Sequence, residues 1–285
     1  MPPLGDDGSS LGYTGVQWFN TAVDVSIVFS SATIVTLMAA SYVVRGRLSQ
    51  LVKSTLVRGC LLELVAAAEM CGTSVQLSQV ATSCGMLAYS VYLFLIILCR
   101  GRSWGKTVTA CPYSLLEEYV EVGANPLHVV LKVVAQLTGG LTSIRWVRYI
   151  WLAELTDTHA SSHKVENCRA DLQVPVIFGF LLESLLTCSS RLVSRALGEV
   201  KPKFAAAMNS FFATCMVLVA FNYSGGYLNP VLATSLKWSC HGHTNTEHII
   251  VYWAGSTLGA MLAIRLWNLV TVKNVLVATF TSKDR

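Results

Sequence analysis

Residues 222–238 read Asn-Tyr-Ser-Gly-Gly-Tyr-Leu-Asn-Pro-Val-Leu-Ala-Thr-Ser-Leu-Lys-Trp, and this stretch decides the fold. It follows an apolar run over 204–221, breaks at Ser224-Gly-Gly, and restarts at Asn229-Pro230 as a helix too short to cross a bilayer. Asn is a favoured N-cap and Pro a favoured first helical residue. Asn229 is therefore predicted to cap a half-helix whose positive dipole end faces a cavity, because a membrane tolerates a broken helix only inside protein or beside a cavity.

The composition indicates a polytopic helical membrane protein. Of 285 residues, 53% are apolar and 13% are charged, whereas a soluble domain carries about 25% charged residues. The net charge of +5 lies in clusters beside apolar blocks, which is typical of the positive-inside bias and not of nucleic-acid binding. The first twenty residues lack a basic n-region, which argues against a secretory signal. The nine cysteines form no CxxC pair, and their odd number predicts neither a disulfide framework nor a zinc site.

The apolar blocks divide the chain into segments. These are a polar tail (1–20), an additional N-terminal helix with a basic linker (21–58), a first half-repeat (59–152), a polar connecting loop (153–173), a second half-repeat (174–272) and a cytoplasmic tail (273–285). The block 60–99 is too long for one span and is predicted to divide near 78–85. Other spans are predicted at about 126–152, 174–190, 204–222 and 249–272. Basic clusters at 45–58, 100–106, 191–203 and 273–285 fall on one face, taken as cytoplasmic.

The two halves share an internal repeat. Glu63 precedes Cys111-Pro112-Tyr113 by 48 residues, and Glu183 precedes Asn229-Pro230-Val231 by 46. A short helix and then a spanning helix with small residues follow each of these tripeptides. Three spans and one half-helix per half give the halves opposite membrane orientations, which is the inverted repeat of several transport folds.

Glu63 and Glu183 are costly at membrane depth unless they have partners. Either these carboxylates reach the membrane surface, or each accepts hydrogen bonds from the backbone of the half-helix loop in its own half. Their matching positions favour the second interpretation. Gln136 and Trp253 also occupy matching places in the two halves, and Gln136 is predicted to join the glutamates in supporting the half-helices.

Over about residues 20–272 the chain resembles the aquaporin (major intrinsic protein) family, most closely the divergent superaquaporin branch that contains aquaporin-11 and aquaporin-12. Residues 224–231 resemble the second Asn-Pro-Ala box of the family, and residues 110–113 stand where the first box would be. Further similarity lies at 114–119, 131–139, 153–159, 240–244 and 251–253. The resemblance implies an all-α membrane protein with six transmembrane helices, two re-entrant half-helices that meet by their N-termini, and an extra N-terminal helix. It also implies a homotetramer with one pore per subunit.

The resemblance further implies that two capping asparagines offer N–H donors to the permeant, while two helix dipoles repel cations. Asn229 fits this role, but Cys111 does not, because a thiol is a weak donor and a poor cap. Tyr113 replaces a small residue and either narrows the pore or packs outward. Leu232 replaces the family's filter arginine, and by analogy Gly226 and Val217 complete a filter that is apolar and wide.

These expectations describe a passive channel in a lipid bilayer for water or small neutral solutes such as glycerol and hydrogen peroxide, with no cofactor. The apolar lining could instead dewet and close the pore. The alternative is a non-conducting structural membrane protein that retains the scaffold. The resemblance favours the endoplasmic reticulum membrane, and the plasma membrane stays open.

An intramembrane enzyme is the remaining competing class. The histidines at 159, 163, 241 and 243 lie in or beside polar loops, where solvated histidines are commoner than zinc ligands. The sequence has no nucleophile–base pair and no metal motif. We therefore predict no catalytic residue and no metal site.

Overall fold

The computed structural model describes residues 25–105, 108–152 and 168–281, which are almost entirely helical. The helices are α1 (Val25–Leu51), α2 (Thr55–Ser103), α3 (Pro112–Val122), α4 (Pro126–Leu152), α5 (Val176–Val200), α6 (Ala205–Ala220), α7 (Pro230–Lys237), α8 (Asn245–Trp267) and α9 (Val270–Phe280). In the described part of the chain, the β pairing is a single isolated bridge between Arg169 and His241. The predicted N-terminal tail, residues 153–167 with two of the histidines, and residues 282–285 lie outside the described residues.

Five stretches of the described residues are long and apolar enough to cross a membrane: Ile27–Leu51, Thr55–Ser103, Pro126–Val147, Val176–Val200 and Asn245–Trp267. They support the prediction of an all-α, multi-pass membrane protein. α2 has 49 residues, which at 1.5 Å per residue would extend about 74 Å if straight. Gly85, with a φ of +77°, divides α2 into arms at 55–84 and 86–103, within the predicted range.

Two predicted span ends differ from the structure. α5 continues to Val200, about ten residues past its predicted end, because Arg191 and Arg195 pair with carboxylates of α3. The last long helix ends at Trp267 instead of near residue 272. An extended residue, Leu269, then separates it from α9, so part of the predicted tail is helical.

Two helix pairs cross closely at a glycine, one in each half of the chain. α4 packs on α2, and α8 packs on α5. A Cβ atom on Gly139 would lie 2.1 Å from the Leu64 carbonyl oxygen, and one on Gly259 would lie 2.2 Å from the Ser184 carbonyl oxygen. Only glycine permits either approach. Leu64 and Ser184 each directly follow a buried glutamate, so the two crossings fix the depth of the two carboxylates.

Candidate functional site

The short helices α3 and α7 begin side by side in the interior. The Asn229 side chain donates from Nδ2 to the carbonyl oxygen of Ala110 at 2.9 Å. Ala110 directly precedes Cys111, the N-cap of α3, and Asn229 is the N-cap of α7. Pro112 and Pro230 are the first residues of the two helices. The structure thus brings the two Pro-containing tripeptides of the sequence together.

A buried carboxylate holds the loop in front of each short helix. Ala110 and Leu228 have φ angles of +48° and +47°, a left-handed conformation that costs a non-glycine residue about 1–2 kcal/mol. The Ala110 N–H donates to Glu63 Oε2 at 2.8 Å, and the Leu228 N–H donates to Glu183 Oε2 at 2.9 Å. Both carboxylates are fully buried. In both halves the carboxylate thus accepts a hydrogen bond from the backbone of the loop in front of the short helix.

Glu63 has the larger set of partners. Its Oε1 accepts from the Thr109 N–H at 3.0 Å and from the Thr109 hydroxyl at 3.3 Å. Gln136 donates from Nε2 to Glu63 Oε2 at 2.8 Å. Glu183 Oε1 accepts instead from the Ser224 hydroxyl at 2.7 Å. In both halves, neutral hydrogen-bond donors thus satisfy the buried carboxyl group, which lowers the cost of placing it in a low-dielectric interior.

The correspondence between Gln136 and Trp253 does not extend to their contacts. Trp253 donates from its indole N–H to Thr234 Oγ1 at 2.9 Å and so contacts α7 itself. The second loop is supported instead by Tyr252, whose hydroxyl donates to the Ser224 carbonyl oxygen at 2.8 Å. The sequence spacing therefore predicted the correct turn of α8, but the side chain that contacts the loop is Tyr252 and not Trp253.

The caps of the two short helices differ. Asn229 Oδ1 accepts from the Val231 N–H at 2.9 Å and from the Leu232 N–H at 3.4 Å. Cys111 makes no side-chain cap hydrogen bond with any described residue. The Asn229 amide nitrogen also lies 3.3 Å from the Met70 sulfur, a weak acceptor. The Asn229 amide group thus donates to the Ala110 carbonyl oxygen and also lies beside a weak acceptor, the Met70 sulfur.

Tyr113 crosses the junction between the two helices. Its hydroxyl donates to the Leu228 carbonyl oxygen at 3.0 Å, and the Arg191 guanidinium carbon lies 6.0 Å from the ring centroid. Tyr113 also lines the central cavity. Of the two interpretations left open by the sequence, the side chain therefore takes the inward one.

A cavity of about 1230 Å³ passes this junction. Its lining includes both N-caps, Cys111 and Asn229, and extends from Lys237 at the end of α7 to Glu117 on α3. Because two helices that meet by their N-termini point away from each other, this lining reaches both sides of the junction. Polar and apolar side chains both contribute to the lining of this cavity.

The three predicted filter residues all line this cavity. Gly226 touches the backbone of Val217, because a Cβ on this glycine would lie 2.5 Å from the Val217 carbonyl oxygen. Leu232 packs partly against a buried apolar cluster that includes Met70 and Ile144. The wall at Leu232, Gly226 and Val217 therefore presents aliphatic groups and backbone.

The expectation that the cysteines form no disulfide is wrong. Cys168 and Cys240, 72 residues apart, are bonded to each other and join the loop before α5 to the loop after α7. Asp171 lies beside this bond and accepts from Lys237 Nζ at 2.9 Å and from the Tyr227 hydroxyl at 2.5 Å. A signal was present in the sequence, since Cys168 and Cys240 are flanked by polar residues whereas most other cysteines lie in apolar runs.

Ion pairs hold the other end of the cavity. Arg191 binds Glu117 through Nε at 2.9 Å and through a second nitrogen. Arg195 binds Glu121 with distances of 2.7 and 2.8 Å. Both arginines belong to a basic cluster that the sequence analysis placed on the cytoplasmic face. Arg45 and Arg100 belong to two other such clusters and are also paired with a carboxylate, Glu69.

The histidines at the disulfide-bonded end form no metal site within residues 168–281. His243 Nε2 lies 3.0 Å from His248 Nδ1. Burial lowers the pKa of His243 from its ordinary value, so this side chain is neutral at physiological pH.

Comparison with known proteins relates the chain to one family. No protein-family profile matches it. It is 27% identical to aquaporin-11 of Milnesium tardigradum over 158 residues, which cover 55% of the chain and 57% of that protein. It is 28% identical to aquaporin-12 of Mus musculus over 175 residues, which cover 61% of the chain and 60% of that protein. The chain thus spans under two thirds of the length of these relatives. The matched region of the chain is thus similar to aquaporin-11 and aquaporin-12.

Proposed function

We propose that the protein is a passive membrane channel of the aquaporin type, for water and small neutral solutes such as glycerol and hydrogen peroxide. One observation carries this proposal: a cavity of about 1230 Å³ runs past the point where α3 and α7 begin side by side. A channel needs a passage on both sides of the junction, and the proposal is supported by cavity-lining residues on both short helices, Lys237 at the end of α7 and Glu117 on α3.

The proposed membrane layout has six spans and two re-entrant half-helices. The two arms of α2 and helix α4 form the first half, α5, α6 and α8 form the second, and α1 is the additional N-terminal helix. Two paired features support an inverted repeat: a glutamate bonded to the backbone before each short helix, and a glycine crossing beside each glutamate. In this layout α3 and α7 enter the membrane from opposite faces.

The wall chemistry suits neutral polar solutes. Leu232, Gly226 and Val217 all line the cavity, and in this proposal they form an aliphatic filter that is wider than one closed by an arginine. Hydroxyl groups such as Ser194 and Ser210 line the cavity elsewhere and can hydrogen-bond a polyol or a peroxide. The positive ends of α3 and α7 face the centre and disfavour cations.

We further propose that the protein assembles as a homotetramer in the endoplasmic reticulum membrane. The tetramer rests on the resemblance to the family. The location is supported by the bond between Cys168 and Cys240, since disulfides persist in oxidising compartments such as the lumen of that organelle. The bonded loops would then face the lumen, opposite the basic clusters.

A permeability series with a blocking variant tests the channel. Purified protein in liposomes is expected to pass water, glycerol or peroxide faster than empty liposomes do. Ala213→Trp, on the cavity face of α6, is expected to abolish that flux. Val219→Trp, on the same helix with an exposed side chain, is the matched control and is expected to conduct. Wild-type flux equal to that of empty liposomes for all three solutes contradicts the proposal.

The second candidate function is a non-conducting structural protein. It is favoured by the hydrogen bond between the Tyr113 hydroxyl and the Leu228 carbonyl oxygen, because this bond joins the start of α3 to the loop before α7 beside the cavity. The triple variant Cys111→Asn, Tyr113→Ala, Leu232→Arg separates the two functions. A silent wild type with a water-conducting triple variant means that the scaffold can conduct and that the native residues close it. Silence of both proteins supports the structural function.

A further inference from the structure

A buried charge cluster joins α1 to the two arms of α2, outside the two Pro-containing tripeptides. Glu69, in the first arm of α2, pairs with Arg45 of α1 at 2.5 Å and with Arg100 of the second arm at 3.5 Å. The Trp104 indole N–H donates to the same carboxylate at 3.1 Å. The Glu69 and Arg45 side chains are only 1% and 6% exposed, and that of Arg100 is 13% exposed.

The cluster carries more positive than negative charge. One carboxylate lies between two guanidinium groups, while the other partners of Arg100 are neutral: the Thr73 hydroxyl and, at 3.4 Å, the Met70 carbonyl oxygen. The net charge is therefore +1. An uncompensated charge is expensive inside a membrane protein and marks an ion or substrate path by default.

The cation of this cluster faces the passage. Within the described part of the chain, Arg100 and Trp104 line the cavity, whereas Arg45 and Glu69 lie behind them. Met70, whose carbonyl oxygen binds Arg100, is the residue whose sulfur contacts Asn229 Nδ2. Arg100 thus lies beside the junction of the short helices, on a different helix from Leu232.

We infer that Arg100 excludes cations from the proposed channel and so determines its specificity for neutral solutes. This inference rests on the proposed function. It places the charge selectivity of the proposed channel on α2. A fixed cation in a low-dielectric wall raises the energy of a passing cation far more than that of a neutral molecule. Arg45 contributes indirectly, since it shares the charge of Glu69 and leaves Arg100 only partly compensated.

The test compares two fluxes through the same full-length protein in liposomes. Glycerol flux is followed by light scattering, and proton flux is followed with an enclosed pH dye while the membrane potential is clamped. The variants are Arg100→Gln, Arg100→Lys and Arg102→Gln. Arg102 is exposed two residues along the same helix, so its variant removes the same formal charge away from the cavity.

Arg100→Gln is expected to raise the ratio of proton to glycerol flux by about tenfold or more, while Arg100→Lys and Arg102→Gln keep the wild-type ratio. Arg45→Gln is a second test of the same charge. Without Arg45, Glu69 neutralises only Arg100, so we expect a smaller rise in the ratio of proton to glycerol flux. If the wild type conducts glycerol and neither Arg100→Gln nor Arg45→Gln changes the ratio of proton to glycerol flux, the inference is wrong and the proposed function stands. An equal rise in Arg102→Gln also overturns it. A wild type without glycerol, water or peroxide flux overturns the proposed function and this inference with it.

Discussion

α7 and α3 perform the same geometric task with different chemistry. α7 begins at Asn229, which caps two N–H groups, and leads into a disulfide-bonded loop. α3 begins at Cys111, which provides no side-chain cap among the described residues, and is tied to α5 by ion pairs. What the two share is the loop in front: a left-handed residue whose N–H binds a buried glutamate. The glutamate and the backbone therefore set the junction, and the cap residue can vary.

The largest effect is expected from removing the shared element. Glu63→Ala would leave the buried donors of Thr109, Ala110 and Gln136 without their acceptor, at a cost of about 1–3 kcal/mol for each unsatisfied group. Glu183→Ala removes fewer such bonds and should cost less. Thermal unfolding in detergent measures both.

Glu118→Ala is the control for these variants, because Glu118 is exposed and forms a long 3.7 Å ion pair. Its effect is expected within about 0.5 kcal/mol. Equal unfolding temperatures for the Glu63→Ala and Glu118→Ala proteins would mean that the carboxylate does not hold the loop.

The next largest effect is expected from removing the disulfide at one end of the cavity. Cys240→Ser is expected to lower the free energy of unfolding by about 2–4 kcal/mol, because the disulfide constrains the unfolded chain. A reducing agent should have the same effect on the wild type and none on the variant. Cys99→Ser, at an exposed free cysteine, is the control. An unfolding midpoint that is insensitive to reductant in the wild type contradicts this assignment.

The smallest change in stability is expected from substitutions at the N-caps, and its sign should differ between α7 and α3. Asn229→Ala is expected to destabilise by about 1–2 kcal/mol, the usual value of an N-cap. Cys111→Ser, nearly the same size as the native residue, is expected to stabilise by up to about 1 kcal/mol, since serine can cap α3. Unfolding midpoints of the two variants measure this contrast. Stabilisation by Asn229→Ala, or a loss on Cys111→Ser, would show that the caps are not the difference between α3 and α7.

Local signals in the sequence predicted much of this architecture. Asn229 and Pro230 predicted the start of α7, Pro112 predicted that of α3, and block length predicted the kink near Gly85, because these features depend on neighbouring residues. The spacing of Glu63 and Glu183 predicted their shared role. The hydrogen bond of Tyr113 to Leu228, the disulfide and the Glu69 cluster escaped prediction, because each joins segments that are far apart in sequence. Their partners become visible only once the helices are packed.

We propose that neutral solutes pass an aliphatic constriction beside Asn229. Glycerol flux in liposomes, compared between the wild type, Leu232→Arg and the size-conserving Leu232→Met, tests it most directly. We expect glycerol flux in the wild type and in Leu232→Met, and a strong loss in Leu232→Arg with water flux retained, because the arginine would narrow the passage. Equal glycerol flux in all three proteins would contradict the placement of the constriction, and no wild-type flux above that of empty liposomes would contradict the channel itself.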